Sequence, residues 1–265
     1  MGEWGHSALR WLGTAGFEMQ LGHINLLVDP FFSRSEKAIP VLPVHMSELR
    51  PGAIFVTHGH LDHAVDVPTI AAQTGAAVYA STSVCESLHD AGCPTRQLHP
   101  LAAGRRVRLQ GVTARAIPAR HARFDLPLIL RALWRVRGQL RSLLPFAAYP
   151  CGDVLGYVFE TPWGKVLHYG SLGWYPEDLD AMRPDVALLP MQGRSRVHDI
   201  LVRAIERLQP LGTEGELVVI PHHHDDFWPP LSEQIPVQPL IDQVREKGLQ
   251  SRVLTPTMGE WVDLF

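Results

Sequence analysis

Residues 53–66 read AIFVTHGHLDHAVD. An apolar run from Ala53 to Val56 closes on Thr57, and four ligand-type side chains follow within six positions: His58, His60, Asp62 and His63. The run has the length and composition of a buried strand, which places the four in the loop leaving its end. His58 and His60 stand two apart, so in an extended segment their imidazoles project to the same side. Asp62 and His63 continue the turn and can reach a neighbouring position. Such a cluster adds little apolar packing, and a bound cation accounts for it. Neutral imidazole and carboxylate suit zinc, with manganese or iron also compatible. A polar loop that is His-rich for no chemical reason is the plain alternative, and the order strand, loop, helix argues against it.

Working outward, the first third of the chain consists of short strands bounded by Gly or Pro: SALRWLG, GFEMQLG and INLLVDP. After the His-rich loop, VDVPTIAAQTG reads as a helix with Pro68 in its first turn, AAVYAS as a strand and VCESLHDAG as a short helix. RRVRLQGVTARAIPA supplies two strands, and LGYVFETPWGKVLHYG a hairpin turning at Pro162–Gly164. A helix near PEDLDAM, the strand DVALLPM, the helix RVHDILVRAIERLQ and the strand ELVVIP follow. The helix LIDQVREKG and closing strands in RVLTP and EWVDLF end the chain. Helices are interleaved with strand runs in both halves, and no linker, repeat or low-complexity tract divides them. The expectation is an α/β fold, two packed sheets with helices outside, in one domain over residues 1–265.

Composition narrows the function. The chain has 265 residues, 46% hydrophobic and 19% charged, enough for a sizeable core and against disorder. A net charge of −3 provides no global field for phosphate backbones, so no nucleic-acid partner is expected. Cys85, Cys93 and Cys151 are odd in number and make no CxxC pair, which reads as thiols in a reducing compartment. The start, MGEWGHSALRWLG, lacks a basic stretch followed by an apolar core, and no uninterrupted apolar window reaches about 18 residues, so a cytoplasmic location is expected. Histidine, at 14, is the unusual count.

THGHLDH resembles the signature of the metallo-β-lactamase-fold hydrolases, and other segments match that family in order along nearly the whole chain. WLGTAGFEMQ followed by NLLVDPFF is similar to the opening strands of its lactonase and phospholipase-D-like branch, with Asp29 at a strand end. AIPARH resembles the segment carrying the next ligand, here His121, and VIPHHHDDF the last one, which by spacing from Pro221 falls on His223. The resemblance implies a four-layer αβ/βα sandwich. One metal would take His58, His60 and His121, and a second Asp62, His63 and His223. It also implies hydrolysis by a metal-held hydroxide, with Asp62 as the catalytic carboxylate. The substrate class would be a small-molecule or lipid-like ester: phosphodiester, lactone or carboxylic ester. The family's bridging carboxylate belongs to a Gly-Asp step that is Gly170-Ser171 here. A neutral hydroxyl is a weaker ligand, so one or two ions are both compatible, with the second position the weaker. Asp225 and Asp226 are the nearest candidates to replace the lost charge. His168, His222 and His224 read as supporting or surface histidines. The alternative reading is a metal-binding sensor or scaffold with little turnover.

The insert at about 124–150 contains FDLPLILRALWRVRGQLRSLLPF. Ile129, Leu133, Val136, Leu140 and Leu144 recur at spacings of three and four, with Arg131, Arg135 and Arg141 off that stripe. A basic amphipathic helix over 126–146 would pack its stripe on the core or on a second copy in a homo-oligomer. The less favoured reading is contact with an anionic membrane surface or a lid over a lipophilic pocket.

Overall fold

The computed structural model describes residues 7–138, 144–209 and 215–265. Its strands are β1 (Ala8–Trp11), β2 (Phe17–Leu21), β3 (Ile24–Val28), β4 (Ala53–Phe55), β5 (Ala77–Ala80), β6 (Leu98–Pro100), β7 (Arg106–Leu109), β8 (Val112–Pro118), β9 (Leu155–Glu160), β10 (Lys165–Tyr169), β11 (Val186–Pro190), β12 (Leu217–His222), β13 (Ser251–Val253) and β14 (Trp261–Asp263). The helices are α1 (Leu61–Ala64), α2 (Val67–Thr74), α3 (Thr82–Asp90), α4 (Leu126–Val136), α5 (Leu144–Ala147), α6 (Pro176–Ala181), α7 (Val197–Leu208) and α8 (Gln238–Glu246). Two seven-stranded sheets form, in the orders β14-β1-β2-β3-β4-β5-β6 and β13-β12-β11-β10-β9-β8-β7. β3 to β6 pair in parallel in the first sheet, as do β10 to β13 in the second.

The period-two pattern of the central strands builds the four layers. In β4, Ala53 and Phe55 face the other sheet while Ile54 faces the helices; in β11, Val186 and Leu188 face inward and Ala187 and Leu189 outward. Both faces are covered, which is why these strands read as unbroken apolar runs. Leu9, Phe17 and Phe55 of one sheet meet Tyr157, Phe159 and Ile220 of the other. Outside the first sheet, Ile70 of α2 and Val84 and Leu88 of α3 pack on Ile54 and Val78. Outside the second, Leu201 and Ile205 of α7 and Leu240 of α8 pack on Leu167, Leu189 and Val219. Truncating one such buried leucine to alanine costs about 2–5 kcal/mol.

Three details differ from expectation. β6 carries the half-polar sequence Leu-His-Pro and pairs only along one side of β5, so its edge position, not an apolar pattern, makes it a strand. Asp62 and His63 lie in the short helix α1 and not in a continuing loop. The single helix expected over 126–146 is two: α4 stops at Val136, Gly138 adopts φ +79°, and α5 begins at Leu144. Leu140 and Arg141 lie outside the described residues. Among the described residues, no helix is long and apolar enough to cross a membrane.

Candidate metal centre

The parallel strands direct their carboxyl ends to one edge of the sandwich, the usual ligand edge of parallel sheets. Asp29 follows β3, His58 follows β4, Ser171 follows β10 and His223 follows β12; His121 lies three residues past β8. The sheets are locked together there by backbone bonds: Leu155 N–H donates to Thr57 O at 2.9 Å and Gly59 N–H to Cys151 O at 2.7 Å. Gly170 is required at this seam, because a Cβ there would collide with Thr57 Oγ1 and Asp29 Oδ2.

Two clusters converge. His58, His60 and His121 form one and Asp62, His63 and His223 the other, with the ligand atoms of each set all within 4.8 Å of one another. The His58 and His63 ring centroids are 3.9 Å apart, so the clusters adjoin. Each cluster draws on parts of the chain far apart in sequence, so His121 and His223 join the 58–63 loop only through the fold.

The surrounding groups orient the rings. His58 Nδ1 is 3.0 Å from Thr57 Oγ1 and His121 Nδ1 is 2.9 Å from Ala122 O, which leaves Nε2 of each available. His63 Nδ1 lies 2.8 Å from Asp29 Oδ2, and Asp29 in turn accepts from Thr57 N–H and Oγ1–H at 2.7 and 2.6 Å. A carboxylate behind an imidazole fixes its orientation and raises its basicity as a ligand. Asp62 Oδ2 is 3.1 Å from His223 Nε2 and 3.7 Å from His63 Nε2. His223 sits at φ +57°, an uncommon conformation for a non-glycine residue, and it is supported on both sides. Its amide donates to Thr14 O at 2.7 Å, and the Thr14 amide donates to Asp225 Oδ1 at 2.9 Å.

The protonation states of the three-histidine cluster and of Asp62 suit a cation. Burial, reinforced by His63, His60 and His121, pushes His58 well below the ordinary imidazole value. Burial and then His121 lower His60 to about 4, and burial lowers His121. Burial alone would raise Asp62, but His63 and His223 outweigh it and hold the carboxyl well below its usual range. Burial opposes the charge on His63, yet Asp29 and Asp62 raise its value. A neutral three-imidazole set beside an ionised carboxylate is the donor chemistry that zinc and its first-row neighbours require.

The pattern of the Beta-lactamase superfamily domain matches residues 24–224. The chain belongs to that family. Among its superfamily relatives, the UPF0173 metal-dependent hydrolase TV0864 of Thermoplasma volcanium is 28% identical over 258 residues, covering 96% of this chain and 97% of the relative. The corresponding protein Ta0764 of Thermoplasma acidophilum is 29% identical over 257 residues, covering 95% and 92%. The structure of Igni18, a metallo hydrolase from Ignicoccus hospitalis, superposes with a TM-score of 0.72 at 20% identity, covering 98% of this chain and 99% of that one. The superfamily's four-layer fold is therefore the fold of this chain.

Other residues singled out in the sequence fall elsewhere within this superfamily frame. Asp225 does not replace the missing carboxylate: it is bound to the Arg34 guanidinium at 2.6 Å and to the Thr14 amide. Asp226 accepts from Ser232 Oγ and pairs with Ile39 through the backbone, so it is not in either cluster. Ser171 lines the same cavity as the clusters, and its hydroxyl accepts the Ala122 amide at 3.0 Å, tying the end of β10 to the His121 segment. His168 and His222 are fully buried and stacked, 5.1 Å apart at 5°, with Nε2 atoms against Ala15 O and Tyr169 O; they belong to the core behind the site and not to the surface. His224 packs on Trp11. Thr57 and the Asp29–His63 contact escaped the sequence reading, although a polar pair ending two adjacent apolar strands was the available signal.

Proposed function

We propose that the chain is a metal-dependent hydrolase of ester-type bonds: phosphodiester, lactone or carboxylic ester. The observation that carries this is the meeting of six ligand-type side chains in two adjoining clusters on the floor of a cavity of about 430 Å³. His58, His60 and His121 would hold one ion, and Asp62, His63 and His223 a second. Zinc fits the donor set best, with manganese or iron compatible. When bound, such an ion lowers the pKa of water toward ~7 and polarises a substrate oxygen.

The chain's own groups supply the rest. Asp62, held ionised beside His63 and His223, can accept a hydrogen bond from the attacking water and so orient it toward the reacting bond. Asp29 and Thr57 keep His63 and His58 in fixed orientations through the reaction. Gly170 keeps that seam closed. The test is a panel of neutral esters, lactones and phosphodiesters assayed with zinc-loaded wild type and with His58→Ala and Asp62→Ala proteins. Turnover by wild type that both substitutions abolish supports the proposal; full turnover by Asp62→Ala contradicts the role given to that carboxylate.

Ser171 favours a second reading, a metal-binding protein with little turnover, because a hydroxyl committed to the Ala122 amide adds no charge to the centre. A large gain in hydrolysis from Ser171→Asp would show that the natural centre is detuned.

A further inference from the structure

α4 does not pack its stripe into the core. Of its residues only Val136 is buried, whereas Ile129 and Leu133 remain 40% and 55% exposed. Those two, with Leu128, form a wall of the cavity that holds the metal clusters, and Phe124, Phe146 and Phe227 extend it. The cavity thus has a polar, ligand-rich floor and an apolar roof. Its volume, about 430 Å³, lies in the range that receives one small ligand.

We infer that α4 is the specificity element of the centre, and that its inward face holds an uncharged apolar group of the substrate, aliphatic or aromatic. The inference rests on the hydrolase reading only in placing the reacting bond at the clusters. Apart from the histidines, the one cationic residue among the described cavity-lining residues is Arg135. Its guanidinium is engaged by Glu233, a carboxylate it shares with Arg131, and donates to Leu231 O at 2.9 Å, with Nε alone left without a partner. Asp62 is the sole carboxylate among those residues, and it belongs to the floor. A charged group placed under the roof would lose hydration and meet only a guanidinium already engaged by Glu233 and Leu231 O, while each methylene placed there leaves water favourably. The exposed apolar side chains at the cavity mouth are the surface such a group would cover.

The experiment uses the full-length, metal-stripped protein, so that binding is read without turnover. Neutral n-alkyl acetates from methyl to octyl, and an octyl analogue ending in a carboxylate, are titrated against methyl-labelled protein by NMR. The expected result is saturable binding whose Kd falls by about fourfold per added methylene until the roof is covered, the fold-change equivalent of ~0.8 kcal/mol. The carboxylate-ended analogue is expected to bind at least about tenfold more weakly than octyl acetate. Ile129→Asp and Ala132→Trp, which respectively charge and fill the cavity, are expected to weaken octyl acetate by about tenfold or more. Leu130→Asp, on the outward side of the same helix with a helix-propensity cost at least as large, is expected to leave Kd unchanged. No saturable binding, a Kd indifferent to chain length, equal affinity for the carboxylate-ended analogue, or equal damage from Leu130→Asp and Ile129→Asp overturns the inference. Chain-length-dependent binding with no hydrolysis of any ester by the zinc-loaded protein would instead sink the hydrolase reading and leave the roof's role intact.

Discussion

The floor and the roof of the cavity are built on opposite terms. On the floor, His58, Asp62, His63 and His223 are buried and each is fixed by a polar contact, His58 from the adjoining Thr57 and the other three from separate elements. On the roof, Leu133 and Trp134 are more than half exposed, and α4 is held by polar contacts at its start, through Asp125 on Ser195, and along its length, through Arg131 and Arg135 on Glu233. Buried, mutually supported groups hold the geometry that chemistry requires, whereas an exposed helix can change its side chains without disturbing the sheets. The difference teaches that reactivity and substrate choice reside on different structural elements here, and substitutions should separate them.

The largest effect is expected on the floor. Asp62→Ala should lower turnover by about 10²–10⁴ while leaving the thermal transition close to wild type, checked by steady-state kinetics and calorimetry on one preparation. Next comes the support behind the floor: Asp29→Asn should weaken zinc by about 10–100-fold in competition with a chelator, since His63 loses its orienting carboxylate. An unchanged affinity would mean that the contact is incidental to the centre.

A smaller effect separates the site from the core behind it. His168 is fully buried, and burial lowers it to about 4, against an ordinary value near 6.5. The unfolded chain therefore binds more protons than the folded one between pH 6.5 and about 4. Stability from this group is full above that window and is lost as pH falls through it, by up to ~1.4 kcal/mol per pH unit. Urea titrations of metal-free protein across pH 7 to 4.5 should show this loss, and His168→Gln, whose amide nitrogen takes the place of the Nε2 that faces Ala15 O, should reduce the slope by one proton. The smallest effect belongs to the roof: Glu233→Gln removes part-exposed ion pairs worth about 0–1 kcal/mol each. It should leave hydrolysis of a short-chain substrate unaltered and change only the response to chain length.

Much of the floor was legible in the sequence, because four of its ligands are local and the resemblance to the metallo-β-lactamase-fold hydrolases implied the other two. His58, His60, Asp62 and His63 lie within six positions, His121 closes AIPARH, and His223 follows the last residue of β12. Choosing His223 from three adjacent histidines depended on the spacing from Pro221, and the physical reason is backbone conformation. His222 ends the strand pointing into the core, and the left-handed turn at His223 re-aims the next side chain. Contacts that no local pattern encodes were not legible. Asp225 meets Arg34 from 191 positions away and lies in neither cluster, and the Asp29–His63 contact depends on two strands pairing in register. The roof was half legible: spacing exposed its apolar stripe, but what that stripe faces is settled only by the fold, and Gly138 with φ +79° ends the helix sooner than the periodicity suggested.

The central claim is that side chains distant in sequence hold metal at the end of these sheets. Elemental analysis after zinc loading and exhaustive dialysis tests it directly, comparing wild type with His121→Ala and His223→Ala. The account predicts about one to two bound ions per wild-type chain and a loss in each variant that retains its fold. Wild-type protein that keeps no metal, or variants that keep as much as wild type, would contradict it.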